Sequence, residues 1–364
     1  MIRRGSRFTV TPPFAIPTPL ILVLQAGADR AARERIVHRV EELGFRAVPV
    51  EGASPPVLCV LGADGRTDPS LFRALLGVER VIPLGRPYPL VSRESRRGDA
   101  AVVVRDLRIG AGTFVAIGGP CAIEDRETTF AIARAVRDAG GAILRGGAFK
   151  PRSSPYAFRG LGEEGLRILA EAAGEFGLAA VTEVMDARDV GLVSKYADLL
   201  QVGSRNMQNY ALLAEVGRSG KPVLLKRGMA ATIEDLLLSA EHVAEAGGRD
   251  VILCERGVRG FDDATRNLLD LAAVPALKRL TPLPVIVDPS HATGRAELVA
   301  PMAKAAVCAG ADGVMVEVHP APDRAKSDGR QAILPEAFAS LLHDLGRLVA
   351  LEGKTLAEPS RVRA

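Results

Sequence analysis

Tryptophan is absent from this chain, and aromatic residues together make up only 4% of it. Proteins that hold single-stranded nucleic acid stack bases on aromatic side chains along a basic groove, and no basic stripe interleaved with aromatics occurs here. Lysine is scarce: 8 of the 47 basic residues are Lys, so a Lys beside a glycine-rich turn stands out from the composition. Cysteine is sparse as well. Cys59, Cys121, Cys254 and Cys308 lie too far apart for a CxxC knuckle and are too few for a disulfide scaffold. No apolar run approaches the roughly 18 residues that span a bilayer. These absences exclude a small secreted domain, a zinc ribbon and a membrane span. A cytoplasmic protein with no nucleic-acid or membrane partner is the expectation.

What is present is a globular profile: 48% hydrophobic and 25% charged residues, with a net charge of +4. The 364 residues exceed the about 250 that one (β/α)8 barrel needs. Arg3, Arg4 and Arg7 precede an apolar stretch at Pro19 to Leu24, but six residues interrupted by nearby prolines are too few for the core of a secretion signal. The surplus length has its own pattern. Strands at 20–25, 46–50, 57–61 and 79–83, with helices at 29–43 and 69–75, spell βαββαβ, a ferredoxin-like arrangement. Its one histidine, His38, falls in a helical pattern and reads as a surface residue. Residues 85–98 are rich in Arg, Gly and Pro and read as a linker. The expected division is an extension at 1–18, a small domain at 19–90 and a larger one at 91–364.

From about residue 113 short apolar runs alternate with amphipathic helices. Strands are expected at 114–118, 142–145, 179–183, 198–202, 222–225, 250–254, 284–287 and 313–317. The helices between them include 126–139, 163–177, 187–197, 208–218, 232–247, 263–272 and 296–310, with a last one at 335–351 and a polar, frayed tail beyond it. Eight β/α units over roughly 240 residues argue for a (β/α)8 barrel, an α/β fold, led by a hairpin at 101–110. A doubly wound sheet would carry a GxGxxG turn after its first strand, and none is present.

Barrel chemistry gathers at the C-terminal strand ends. There the sequence places Cys121, Arg145, Lys150, Arg152, Glu183, Arg205, Lys226, Arg227, Arg256, His291 and Glu317. Seven of these are cations, and so many positive charges at one mouth call for phosphate or carboxylate ligands. Cys121, His291, Glu317 and the nearby Asp328 form a mixed N/O/S donor set suited to a divalent Mn²⁺, Fe²⁺, Co²⁺ or Zn²⁺ ion. Cys59, Cys254 and Cys308 sit in apolar patterns and read as core thiols.

These stretches resemble the smaller, microbial 3-deoxy-D-arabino-heptulosonate 7-phosphate (DAHP) synthases. The carriers are Gly119-Pro120-Cys121-Ala122, LRGGAFKPRSSPY at 144–156, QVGSRNMQN at 201–209, LLKRGMAAT at 224–232, LCERG at 253–257, VDPSH at 287–291, and Glu317 to Pro320 with Ser327-Asp328-Gly329. The resemblance implies a metal-dependent condensation of phosphoenolpyruvate with erythrose 4-phosphate, the first step toward aromatic amino acids by the shikimate route. It implies Cys121, His291, Glu317 and Asp328 as metal ligands and Arg145, Arg205, Lys226 and Arg256 as the phosphoenolpyruvate cradle. It implies that Lys150 lies between the substrates and that Pro151, Arg152 and Ser153 receive erythrose 4-phosphate, with Glu183, Lys226 and His291 as the candidates for moving protons. A homotetramer or dimer is implied too. The related octulosonate 8-phosphate synthases share the barrel, but their sugar segment usually reads Lys-Ala-Asn-Arg-Ser-Ser, whereas this chain has Lys150-Pro151-Arg152-Ser153-Ser154. A non-catalytic phosphate-binding barrel is a further alternative, and it would have no need of four metal donors. The small domain departs from its relatives: Val48 and Val50 stand where a polar His-x-Ser pair helps bind inhibitory tyrosine or phenylalanine.

Overall fold

The computed structural model describes residues 19–50, 55–63, 67–83, 85–96, 98–151, 154 and 156–358. By contacts the chain divides into two units, one ending at Arg97 and one beginning at Gly98. The small unit contains β1 (Leu20–Leu24), α1 (Arg30–Glu42), β2 (Arg46–Val50), β3 (Val57–Leu61), α2 (Ser70–Arg73) and β4 (Val78–Pro83). Its antiparallel sheet has the order β2-β3-β1-β4. Central β1 reads LILVL because both of its faces are buried, as a strand inside a sheet requires. Asp29 caps α1 by accepting the Ala32 N–H at 2.7 Å. Ile36 and Val40 of α1 join Leu22, Leu58 and Phe72 on one side of the sheet. Ile21, Val23 and Cys59 cluster on the other, with Val50 and Leu90 against them. Leu90 therefore packs within the small unit although its segment reads as a linker.

The second unit opens with a hairpin, β5 (Ala101–Val104) and β6 (Leu107–Gly110), and then closes a barrel. The barrel strands are β7 (Thr113–Gly119), β8 (Ile143–Arg145), β9 (Ala179–Val184), β10 (Leu199–Val202), β11 (Val223–Lys226), β12 (Val251–Glu255), β13 (Val285–Val287) and β14 (Gly313–Glu317). All eight are parallel, and β14 pairs with β7 from Gly313↔Val115 to Glu317↔Gly119. Hairpin residues Val102, Val104, Leu107 and Ile109 cluster with Val115, Ala142, Ala179 and Leu199, which lie at or near the N-terminal ends of their strands. The hairpin therefore seals the N-terminal end and leaves the opposite end open. The helices are α3 (Arg126–Asp138), α4 (Glu163–Glu175), α5 (Val190–Val193), α6 (Tyr210–Arg218), α7 (Ile233–Glu245), α8 (Ala273–Leu280), α9 (Pro289–Thr293), α10 (Ala296–Cys308) and α11 (Pro335–Leu351).

Four expectations change. The helix at 263–272 is a rim loop, and α8 begins only at Ala273. Val258 and Leu268 form an antiparallel bridge across this loop, which commits its backbone hydrogen bonds away from a helix. The helix at 187–197 shrinks to a 3-10 turn at Ala187–Asp189 followed by the single turn α5. The first part of the tail is docked, as far as the described residues reach: Thr355–Leu356 forms β15 on β7, and Lys354 Nζ donates to the carbonyls of Gly310 and Ala311 at 2.8 and 2.6 Å. Finally, Cys308 is exposed on the last turn of α10, while Cys59 and Cys254 are buried as expected.

Candidate metal and anion site at the barrel mouth

Close strand-end packing assembles the site. Gly119 ends β7 at φ +149°, and a Cβ there would lie 2.0 Å from the Arg145 carbonyl oxygen. Only glycine permits that approach, and it brings the segment bearing Cys121 beside the end of β8. Donor atoms of Cys121, His291, Glu317 and Asp328 then lie within 4.8 Å of one another. The donor chemistry fits a divalent ion of intermediate softness. His291 Nδ1 lies 2.8 Å from Asp288 Oδ2, and Asp288 Oδ1 accepts the His291 backbone N–H at 2.9 Å. A buried carboxylate at Nδ1 assigns the proton there, so the Nε2 lone pair faces Glu317 Oε1 at 3.3 Å. A ring nitrogen that close to a carboxylate oxygen is repulsive unless a proton or a metal ion lies between them.

The electrostatics of the cluster are those of a crowded, buried ensemble. Burial and Glu317 push the Cys121 thiol up to about 11, against the opposing effect of Lys150 and Arg145; an incoming metal ion must therefore displace its proton. Lys150 Nζ lies 3.0 Å from Cys121 Sγ and donates to the Cys121 carbonyl at 2.9 Å. Burial works to raise the Glu317 and Asp328 carboxyls, but His291 and the neighbouring guanidiniums, Arg145 for Glu317 and Arg266 for Asp328, hold both below the usual range. Asp288 is fully buried, yet His291 and Lys226 keep it well below that range. Burial likewise presses His291 below its ordinary value, outweighing Asp288 and Glu317.

The cations divide into two groups. Arg145, Lys150, Arg205, Lys226 and Arg256 line one cavity together with Pro151, Glu183 and His291. Lys226 pairs with Asp288, and Arg145 with Glu317. Arg145 Nε and Arg256 Nη1 are buried without a hydrogen-bond partner, an expensive state that an anionic ligand relieves. Burial lowers the Arg256 guanidinium from its ordinary value, with Asp288 only partly compensating. Arg227 is different. Its Nη1 lies 2.9 Å from both Glu255 and Asp270, and it does not line the cavity; its charge serves the scaffold rather than a ligand. Arg152 and Ser153 lie outside the described residues. Glu183 is half-buried, with Gln201 Nε2 donating to it at 3.4 Å.

The sequence shows Gln201 and Asp288 at strand ends without assigning them a role, and it passes over Arg266 and Gln331. Asp288 stands in the quoted VDPSH stretch, where its N-cap position was the available signal: it caps α9. Arg266, which lines the same cavity, was hidden inside the expected helix at 263–272. Gln331 carries no sequence signal that separates it from an ordinary surface glutamine.

Residues 91–350 match the family described as the DAHP synthetase I family, and residues 20–85 match the DAHP synthase ferredoxin-like domain. The chain is 44% identical over 329 residues to phospho-2-dehydro-3-deoxyheptonate aldolase of Thermotoga maritima, covering 90% of this chain and 97% of that protein. The crystal structure of a Thermotoga maritima protein of the same name superposes with a TM-score of 0.74 at 42% identity, over 93% of this chain and 99% of that one. A 2-dehydro-3-deoxyphosphooctonate aldolase of Syntrophobacter fumaroxidans is more distant, at 34% identity over 65% of this chain and 88% of that protein.

Proposed function

The chain belongs to the DAHP synthetase I family, and from that premise we propose that its barrel mouth condenses phosphoenolpyruvate with erythrose 4-phosphate, giving DAHP and inorganic phosphate. The observation that carries this reading is the pairing of a four-donor cluster, two of whose members, His291 and Asp328, line the cavity, with buried guanidinium N–H groups that lack partners, Arg145 Nε and Arg256 Nη1, on residues lining the same cavity. In this reading DAHP feeds the shikimate route to aromatic amino acids.

Arg145, Arg205, Lys226 and Arg256 hold the phosphate and carboxylate of phosphoenolpyruvate. Lys150 and Pro151, with Arg152 and Ser153, receive erythrose 4-phosphate. Cys121, His291, Glu317 and Asp328 hold a divalent ion, Mn²⁺, Fe²⁺, Co²⁺ or Zn²⁺, which supplies Lewis-acid polarisation of an aldehyde when bound. Two multiply charged anions repel each other in water, and the cationic cradle offsets that repulsion while aligning C3 of phosphoenolpyruvate with the aldehyde carbon. As the carbon–carbon bond forms, the aldehyde oxygen takes a proton, which Lys150 Nζ beside Cys121 is placed to give. Water adds at C2, and Glu183 takes its proton. The C2 hydroxyl then gives its proton to the departing phosphate oxygen as the C2–O(phosphate) bond breaks, which leaves the C2 carbonyl and releases phosphate into the Arg and Lys cradle. His291 has Nδ1 committed to Asp288 and Nε2 to the ligand cluster, so proton transfer falls to Glu183 with Lys226 and Lys150. A homo-oligomer, tetramer or dimer, completes the reading.

The test is phosphate release from phosphoenolpyruvate with erythrose 4-phosphate, with arabinose 5-phosphate and with no aldehyde, each with and without a chelator. Release that needs both erythrose 4-phosphate and free metal is expected. Preference for arabinose 5-phosphate would transfer the chain to the octulosonate reaction, and no release with either sugar would leave a binding barrel.

A further inference from the structure

We propose that Arg266 and Gln331 are positioning residues that hold the two carboxylate donors of the cluster at a fixed spacing and thereby set its affinity for the ion. The proposal rests on the reading of Cys121, His291, Glu317 and Asp328 as a metal site. Gln331 is 2% exposed. Its Nε2 donates to Glu317 Oε2 at 2.7 Å, and its Oε1 accepts from Arg266 Nη1 at 3.0 Å. The same Arg266 nitrogen lies 3.6 Å from Asp328 Oδ1. One chain, Glu317–Gln331–Arg266–Asp328, therefore links the two carboxylates.

The amide has one admissible orientation, because a guanidinium only donates and an ionised carboxylate only accepts. Glutamine is the residue type that offers an acceptor to one and a donor to the other at this length. A glutamate would face Glu317 with a like charge, and a lysine would face Arg266. The chain also sorts the oxygens. Glu317 gives Oε2 to Gln331, while its Oε1 accepts from Arg145 Nη1 and also faces His291 Nε2 at 3.3 Å. Asp328 gives Oδ1 to Arg266 and turns Oδ2 toward Cys121 Sγ at 3.3 Å. Each carboxylate thus keeps one oxygen facing another donor, on Glu317 an oxygen that Arg145 also holds, the kind of orientation that outer hydrogen bonds impose on metal ligands.

Arg266 is itself held in place. Its backbone N–H donates to the Thr293 carbonyl at 2.9 Å, and a Cβ on Gly294 would sit 2.6 Å from Arg266 Cβ. The adjacent Asn267 Nδ2 donates to the His291 carbonyl at 3.1 Å. The rim loop between β12 and α8 thus touches the segments bearing two of the four donors, His291 and Asp328, and reaches Glu317 through Gln331.

Cobalt(II) titration of the full chain tests this, because thiolate-to-metal charge transfer reports Cys121 and the d–d bands report donor geometry. Arg266→Met and Gln331→Ala are expected to weaken Co²⁺ binding about tenfold or more and to shift the d–d bands while keeping the charge-transfer band. Gln331→Glu is expected to weaken it further than Gln331→Ala. The metal-free Tm of Arg266→Met should stay at the wild-type value, since that side chain is 40% exposed, and this separates positioning from a general loss of structure. Wild-type affinity and bands in Arg266→Met, with charge transfer lost in Cys121→Ser, would overturn the positioning role and leave the metal site standing. Wild-type Co²⁺ affinity and bands in Cys121→Ser would overturn the metal reading and this proposal with it.

Discussion

Arg256 and Glu183 show how single residues are kept ready at a cost to the resting protein. Arg256 is 5% exposed, its Nη1 has no partner, and burial lowers its affinity for the proton. Replacing an uncompensated buried charge by an apolar side chain of similar size is often neutral or stabilising. Arg256→Met is therefore expected to leave the ligand-free Tm unchanged or higher. A charge-assisted hydrogen bond is worth roughly 1.5–3 kcal/mol, so the KM for phosphoenolpyruvate should rise by about ten- to a hundredfold. A lower Tm with unchanged KM would remove Arg256 from the cradle. Glu183 depends on its neighbour Gly203. The glycine backbone, at φ −71° and ψ 159°, is open to any residue, so the constraint is room: a Cβ would lie 2.0 Å from Glu183 Oε1. That oxygen ends a flexible side chain and can move aside, which lets Gly203→Ala fold. The displaced carboxylate should then lower kcat by about tenfold or more, since misplacing a working group by an ångström can cost as much as 10²-fold. Unchanged kcat would mean that Glu183 takes no part in the chemistry.

At the scale of elements, helix α7 follows the strand that delivers Lys226, and its start is fixed by a reciprocal cap. Asp235 N–H donates to Thr232 Oγ1 at 3.1 Å, and Asp235 Oδ2 accepts the Thr232 backbone N–H at 2.8 Å. Thr232→Ala should cost about 1 kcal/mol in denaturant unfolding. The Thr232 hydroxyl and backbone N–H hold the Asp235 carboxyl below its ordinary value. Its stabilisation is thus present above the ordinary carboxylate pKa and fades as pH falls through the lowered folded value. The wild-type advantage over Thr232→Ala should shrink in acid, and an advantage that grows there would contradict the cap. Signals of this kind, local and periodic, are what made most elements legible in the sequence. Strand β1 announced itself by five apolar residues and α1 by Asp29 before its first turn. The loop at 258–272 did not. Leu268, Leu269 and Leu271 mimic helical spacing, but Val258 and Leu268 pair across the loop, a tertiary bond that periodicity does not register. Arg266 was lost with it. The site itself was legible wherever a residue stands at a strand end. It was not legible where function depends on side-chain direction, as in Arg227, which shares a strand end with Lys226 and turns to Glu255 and Asp270 instead.

On the scale of the whole molecule, the described site residues from Cys121 to Asp328 belong to the second unit, and that unit has its own continuous core, from Val102 in the hairpin to Ala357 in the docked tail. Residues 98–364 alone should therefore fold and release phosphate from the same two substrates, whereas a shorter chain ending at Leu351 should lose stability with Lys354 and β15. The small unit then needs a role other than building the site. Its second strand sets Val48 opposite Cys59 and Val50 opposite Val57, so these side chains share the sheet face that carries Ile21 and Val23. An aromatic amino acid brings an ammonium and a carboxylate, and burying either against aliphatic side chains without a partner is costly. Neither valine offers a hydroxyl or imidazole to offset that cost. Tyrosine and phenylalanine are accordingly expected to leave the rate of phosphate release unchanged up to their solubility limits, in the full chain as in residues 98–364. Inhibition of the full chain that disappears in the shorter one would show that the small unit binds these amino acids through groups other than positions 48 and 50, and would restore to it the regulatory role that the two valines argue against.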